Sequence, residues 1–279
     1  MGHYYCLMAG LPEISLADTK QARTVGELKD ECYGALTDQD RKLLYYFFLR
    51  YDCLNLVKLL KDPNAEISLY GNFVLEQYQD LIKSAKDMNF NVHRFPSFMS
   101  EYARNFEYNS QSSSYFPEDA MMLAYYQFAM KCPNGLISNW YTFNFNITNI
   151  LTGLIAKRNG LNVADYILGD NEVTEMIRTN NTKDFELTRE YDYVADLMKI
   201  ADETDPVMKE KDMDAFRWTW LDENAMTDIF SIEALFAYFC KLEILERWKM
   251  LDVEEGKAKF RQIIENLRGE AKVPEEFIK

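Results

Sequence analysis

Residues 43–57 read LLYYFFLRYDCLNLV, and the spacing of their apolar side chains decides the fold class. Leu44, Phe47, Phe48, Tyr51 and Leu54 recur at helical spacing, and further apolar residues fill the other sides. A helix that is apolar almost all round is buried inside a bundle, not laid on a surface. Arg41, Lys42 and Arg50 flank its most apolar run. The run is therefore far short of the roughly 20 apolar residues that cross a membrane. Just upstream, Thr37-x-x-Asp40 resembles a capping box with an acid in the first turn, which places the start of the helix there.

Working outward, Asp62-Pro63-Asn64 ends this segment, and a second helix follows with Val74, Tyr78, Leu81, Ile82 and Ala85 as its buried stripe. Asn91 and Pro96 mark a break, and residues 110–114 read as a loop. Pro117 fits the first turn of the next helix, which Pro133-Asn134-Gly135 ends. A long helix is predicted over residues 137–157, closed by Asn159-Gly160. Beyond it come shorter amphipathic helices, one broken at Asp205-Pro206. Ser231 caps the last long one, with the stripe Ile232, Leu235, Phe236, Phe239, Leu242, Leu245 and Trp248. Residues 3–16 (HYYCLMAGLPEISL) read as a strand or a packed extended arm, and Pro274 ends the ordered pattern. Only 7 Pro and 11 Gly occur in 279 residues, too few for the many turns of a strand-rich fold. The expectation is an all-α multi-helix bundle without a linker that would divide it.

The N-terminus lacks a basic region followed by an apolar stretch, and Cys6, Cys32, Cys53, Cys132 and Cys240 form no Cys-x-x-Cys pair. Both features suit a cytoplasmic protein with reduced core thiols. The net charge is −14, and it is uneven: residues 1–160 carry about −2 and residues 161–279 about −12. Phosphate neutralisation needs Lys and Arg, so the balance argues against nucleic acid as a partner. An acidic face suits a basic protein partner.

Catalytic patterns are missing. The two histidines, His3 and His93, lie in different contexts, and no Glu-x-x-His, His-Glu-x-x-His, Gly-x-Ser-x-Gly or phosphate-cradling Gly-rich loop occurs. Asp202-Glu203-Thr204-Asp205 is the one stretch where a metal site could begin, but a solvated helix end before Pro206 accounts for it better. Glu243 and Glu246 read either as ion-pairing surface residues or as polar residues at a helix seam. In Arg217-Trp218-Thr219-Trp220 the tryptophans read as helix-packing residues before an exposed recognition patch. No catalytic residue, cofactor or metal ligand is expected.

The most specific observation is an internal echo. Tyr51-Asp52-Cys53-Leu54-Asn55-Leu56 has the form aromatic, Asp/Asn, x, x, Asn, aliphatic, and Phe145-Asn146-Ile147-Thr148-Asn149-Ile150 repeats it 94 residues later. The pairs Asp52/Asn55 and Asn146/Asn149 each lie on one edge of an apolar helix. Buried there, they need partners, most simply a neighbouring helix end or backbone.

With these motifs the chain resembles the family of central-stalk subunits, termed C or d, of the V-type/A-type rotary ATPases and ATP synthases. Asp52, Asn55 and Leu56 match an Asp-x-x-Asn-aliphatic helix of its first repeat, and Asn146, Asn149 and Ile150 match the second with Asp replaced by Asn. Ile232-Glu233-Ala234-Leu235-Phe236-Ala237-Tyr238 with Glu243 is similar to a C-terminal element of that family. Glu210 and Asp214 in KEKDMDAF resemble an acidic pair that precedes it. The chain is shorter than typical members and lacks their long first helix.

The resemblance implies a cup of three pseudo-repeated three-helix lobes, here roughly residues 30–110, 111–180 and 181–270. It further implies a non-enzymatic central-stalk subunit, peripheral to the inner membrane. Its partners would be the central shaft subunit and the membrane rotor ring, with no insertion into the membrane. Under this reading Asp202, Glu203, Asp205, Asp222 and Glu223 form an acidic wall for a basic shaft. The alternatives are a helical adaptor for another protein or peptide and, behind it, a metal-dependent all-α carboxylate enzyme.

Overall fold

The computed structural model describes residues 4–17, 23–85, 94–112, 116–225 and 228–250. The fold is all-α: eleven α-helices and two short 3-10 turns, with no strand among the described residues. In chain order the helices are α1 (Tyr5–Ala9), α2 (Val25–Tyr33), α3 (Asp38–Lys61), α4 (Leu75–Ala85), α5 (Ser97–Ser112) and α6 (Pro117–Ala129). They continue as α7 (Gly135–Arg158), α8 (Glu172–Thr179), α9 (Val194–Asp202), α10 (Pro206–Ala225) and α11 (Ile232–Met250).

Three long helices, α3, α7 and α11, organise the molecule. Each starts behind a side chain that accepts a hydrogen bond from the backbone N–H three residues on. Thr37 accepts from Asp40 at 3.2 Å, Asn134 from Ile137 at 3.1 Å and Ser231 from Ala234 at 3.2 Å. Such caps satisfy N–H groups that the helix itself leaves without partners. The interval between caps is 97 residues both times, from position 37 to 134 and from 134 to 231.

The three starts also lie together. Asn134 donates to Glu233 in the first turn of α11 at 2.6 Å. Tyr4 donates its hydroxyl to Asp40 and its backbone N–H to the Phe230 carbonyl (2.8 Å). From that end, α3 packs with α4, α5 and α6, while α7 packs with α8, α9 and α10. α11 lies against α2, α3, α7 and α10.

The core between the long helices is aromatic. Phe47 and Phe48 of α3 meet Phe239 of α11 with ring centroids 5.6 and 5.5 Å apart, and Tyr141 of α7 meets Phe236 at 6.1 Å. Edge-to-face and tilted pairs of this kind add about 0.5–1.5 kcal/mol each beyond the area they bury. The tryptophans pack as expected: Trp218 is buried, and Trp220 stacks on Phe143 at 5.1 Å.

Three expectations need correcting. Residues 5–9 form a helical turn rather than a strand or extended arm; YCLMA has no β-branched residue, and the Tyr4 carbonyl accepts from the Met8 N–H at 2.9 Å. Only residues 12–15 beyond it are irregular, tied to α11 where Tyr238 donates to the Pro12 carbonyl at 3.0 Å. Val74 is 58% exposed, because α4 begins at Leu75 and Val74 stands in front of its apolar face. The stretch expected as a loop at 110–114 is helical through Ser112. His3, His93 and Pro274 lie outside the described residues.

Candidate functional site

The two recurring polar pairs do the same work in two places: each pins the segment that returns after its long helix. On α3, Asn55 donates to the Ser68 carbonyl and accepts from the Ser68 N–H, both at 2.8 Å. One turn earlier, Asp52 accepts from the Asn72 N–H and side chain (2.7 Å each), the Phe73 N–H (3.2 Å) and the Tyr78 hydroxyl. On α7, Asn149 accepts from the Leu168 N–H at 2.8 Å, and Asn146 accepts from the Asn171 side chain at 2.8 Å. Asn171 in turn caps α8. All four residues are buried, and a buried polar group without a partner would cost about 1–3 kcal/mol.

Glycine lets the returning segment approach. A Cβ on Gly71 would stand 2.4 Å from an Asp52 carboxylate oxygen, and one on Gly169 would stand 2.6 Å from the Phe145 ring. A cation then holds each segment by its carbonyls. Lys29 donates to Tyr70 and Gly71 (3.1 and 2.6 Å), and Arg178 donates to Ile167 and Gly169 (2.9 and 2.6 Å).

Glu243 and Glu246, left open between surface and seam by sequence, sit at the seam. They stand 97 residues after Asn146 and Asn149, so α11 carries a polar pair at the α7 positions. Glu243 accepts from Tyr51 (2.6 Å) and Arg50 (3.2 Å) of α3. Glu246 accepts from Tyr70 and from the backbone N–H of Val25 at 3.1 Å. Glu243 in turn pulls the Arg50 guanidinium upward in pKa. Burial, reinforced by Glu243, pushes the Tyr51 phenol well above its ordinary value. Burial and the bond to Glu246 take Tyr70 to about 12.

These groups border a cleft of about 910 Å³ between the three long helices. Phe47, Arg50, Tyr51 and Leu54 reach it from α3, and Trp140, Tyr141 and Asn144 from α7. Cys240, Glu243, Ile244, Glu246 and Arg247 reach it from α11. In each case the residues recur every three or four positions, one face of a helix. Tyr125 and Tyr126 of α6, the Ser68–Tyr70 segment and Asp214 and Arg217 of α10 complete the wall. Asp214, part of the acidic pair noted in the sequence, is buried and accepts from Arg217 (3.0 Å), Trp248 (2.8 Å) and Arg247. Glu210 accepts from Arg247 at 3.4 Å. The arrangement offers aromatic surface and charges paired with one another in Glu243–Arg50 and Asp214–Arg217–Arg247.

The five acidic residues expected to form one wall fall into two groups at opposite ends of α10. Glu203 caps its own turn, accepting from the N–H groups of Thr204 (2.6 Å) and Asp205 (2.8 Å), while Asp205 accepts from Val207 (2.8 Å). Asp202 ends α9 beside them. Asp222 lies in the last turns of α10, paired to Lys241 of α11, with Glu223 exposed next to it. At 1.5 Å per residue the two groups are about 25 Å apart. No cluster of three or more His, Cys, Asp or Glu side chains suited to a metal occurs among the described residues. No helix among them is long and apolar enough to cross a membrane.

The cleft went unforeseen because its residues lie in the order that packing gives, not in a motif. The available signal was the 97-residue interval between Thr37, Asn134 and Ser231.

The fold and cleft define a helical bundle in which three N-capped helices, spaced evenly along the chain, surround a common concavity. The chain belongs to the family described as Protein of unknown function (DUF2764), whose model matches residues 1–271. No curated protein and no solved structure matches it.

Proposed function

We propose that the chain is the non-catalytic central-stalk subunit of a V-type/A-type rotary ATPase, the socket between the soluble shaft and the membrane rotor ring. The observation that carries the reading is the 97-residue recurrence of capped long helices around one cleft. A socket of three pseudo-repeated lobes asks for that arrangement, and the resembling motifs occupy its bracing positions. Asp52/Asn55 and Asn146/Asn149 tie each returning segment to its helix, and Asp214 ties α10 to α11. Torque transmission needs stiffness, and interlocked, satisfied polar pairs inside helices provide it. On this reading the protein is cytoplasmic and attached to the inner membrane only through the complex.

The separation of the acidic residues narrows the shaft contact. Of the five acids, Asp222 is the one whose carboxylate pairs with a cation of α11, Lys241, among the described residues. Neutralising Asp222 and its neighbour Glu223 weakens shaft binding and flattens its salt dependence more than neutralising Asp202, Glu203 and Asp205.

The deciding experiment is affinity purification of the tagged chain from native membranes in mild detergent, with mass spectrometry of what accompanies it. ATPase head, shaft and ring subunits are expected in fixed ratio. Recovery of a different protein without them would replace this reading with the helical adaptor.

A further inference from the structure

The central cleft is unbalanced between hydrogen-bond acceptors and donors. Its carboxylate and amide acceptors are in use. Glu243 takes Arg50 and Tyr51, and Glu246 takes Tyr70 and the Val25 N–H. Asp214 takes Arg217, Arg247 and Trp248, and the Asn144 oxygen takes Arg217 Nε at 3.0 Å. Several donors are not in use. Among the described residues, the Arg50 guanidinium bonds only to Glu243, at 3.2 Å, and Arg217 Nη2 bonds to nothing. The Tyr126 hydroxyl and the Trp140 indole N–H have no partner either, although both residues line the cleft. Trp140 is only 8% exposed, yet its N–H is not sealed inside protein, so the bond it lacks must come from what occupies the cleft.

These donors come from four helices. Arg50 reaches in from α3, Trp140 from α7 and Arg217 from α10, while Tyr126 of α6 lies within electrostatic reach of both arginines. Burial holds the Tyr126 phenol above its ordinary value, so it keeps the proton that it would donate. Arg50 and Arg217 oppose that rise and Glu243 adds to it, so two cations and one anion act on this hydroxyl. Free donors in a locally positive setting favour an acceptor with negative charge, because charge-assisted bonds are about twice as strong as neutral ones. The cleft, at about 910 Å³, is far larger than a carboxylate, and its walls beside these donors are aromatic. Leu69 borders it and is 89% exposed, which carries apolar surface past the edge of the cleft. A chain segment running out over Leu69 covers that surface, whereas an enclosed small molecule leaves it bare.

We propose that the cleft binds a carboxylate carried by a polypeptide beside apolar side chains, received by Arg50, Arg217, Tyr126 and Trp140. The site is separate from the acidic contact through Asp222 and Glu223. It stands on the free donors of the cleft, whether or not the partner belongs to a rotary ATPase.

Three probes test it by isothermal titration calorimetry on the full-length protein. They are the peptide acetyl-Leu-Phe-Leu with a free C-terminal carboxylate, the same peptide ending in an amide, and phenylpropionate. The peptide acid should bind at least about tenfold tighter than the amide, and the gap should narrow at high salt. Tyr126→Phe should weaken the acid about fivefold and leave the amide unchanged. Its melting temperature should match wild type, since the hydroxyl is bonded to nothing in the free protein. Arg50→Gln should remove most of the preference for the acid. Phenylpropionate should bind more weakly than the peptide acid; binding as tight or tighter would overturn the polypeptide assignment in favour of a small carboxylate. Equal affinity for acid and amide, no binding of the acid at millimolar concentration, or unchanged acid affinity in both variants overturns the proposal. If Arg50→Gln does not fold, Tyr126→Phe decides it.

Discussion

Asn55 and Ser68 hold each other by a closed pair of hydrogen bonds, one from the Asn55 amide to the Ser68 carbonyl and one from the Ser68 N–H back to Asn55, each 2.8 Å. The amide of a side chain here imitates a strand partner for a segment that belongs to no sheet. Because both bonds run to backbone, the side chain of residue 68 adds only a long bond, its hydroxyl accepting from the Tyr70 N–H at 3.3 Å. Asn55→Ala should lower the unfolding free energy by about 2–4 kcal/mol, since it leaves two main-chain groups without partners. Ser68→Ala should cost under about 1 kcal/mol. Urea denaturation of the two variants checks this, and equal losses would contradict the backbone account.

Gly71 passes so close to α3 that a methyl group there would meet both Asp52 and the Tyr78 hydroxyl, at 2.4 and 2.9 Å. Both neighbours are fixed by hydrogen bonds and cannot retreat. Gly71→Ala should destabilise by about 1–3 kcal/mol, as overpacking does in a filled core. Gly34 is the control: it has φ −69°, and nothing lies within 4 Å of its would-be Cβ. Gly34→Ala should be neutral or stabilise by about 0.4–1 kcal/mol through the unfolded chain. Thermal melts of both variants separate these outcomes.

Much of this framework was legible in the sequence, because α3, α7 and α11 carry apolar residues on nearly every side and start or stop at Thr37, Asn134, Gly160 and Ser231. The partners of Asp52, Asn55, Asn146 and Asn149 were not, since they are largely backbone groups 13–21 residues downstream, and backbone has no signature. The third polar pair escaped for a related reason. The Asp52 motif sits 15 residues after its cap and the Asn146 motif 12 after its own, so their spacing of 94 conceals the 97-residue period on which Glu243 and Glu246 fall. α1 was misread because five residues are too few for periodicity to speak.

Asp52 is buried, and burial lifts its carboxyl above the usual carboxylate range, while the bonds from Tyr78, Asn72 and Phe73 work against that rise. A carboxyl whose folded pKa exceeds its unfolded value stabilises most below the unfolded value. That contribution is lost as pH rises through the folded value. Wild type should therefore lose stability relative to Asp52→Asn as pH is raised from about 4, until Asp52 is fully ionised. Asn at this position is supported by α7, where Asn146 fills the same role. Denaturation at a series of pH values gives the difference curve, and a wild type that gains on the variant with rising pH would refute the expectation. Asp52→Ala, which strips the acceptor from two N–H groups, should cost about 3 kcal/mol near pH 4 and less as pH rises.

Asp214 differs from Asp52 in that its partners are side chains on two helices, Arg217 on its own and Arg247 and Trp248 on α11. Its carboxylate is buried, whereas the two arginines keep 22% and 43% of their side chains exposed. Removing the acid therefore leaves cations that can turn to water, and the loss falls below that of a fully buried pair. Asp214→Ala should cost about 2–4 kcal/mol. Because α10 meets α11 through this group, the loss should appear first as faster amide exchange in residues 206–225, ahead of α3 and α4. Hydrogen exchange read by mass spectrometry tests that order. Uniform acceleration across the chain would mean that Asp214 supports the whole core and not the α10–α11 seam, and in that case Asp214→Asn, which retains an acceptor for Trp248, should restore less than half of the lost stability.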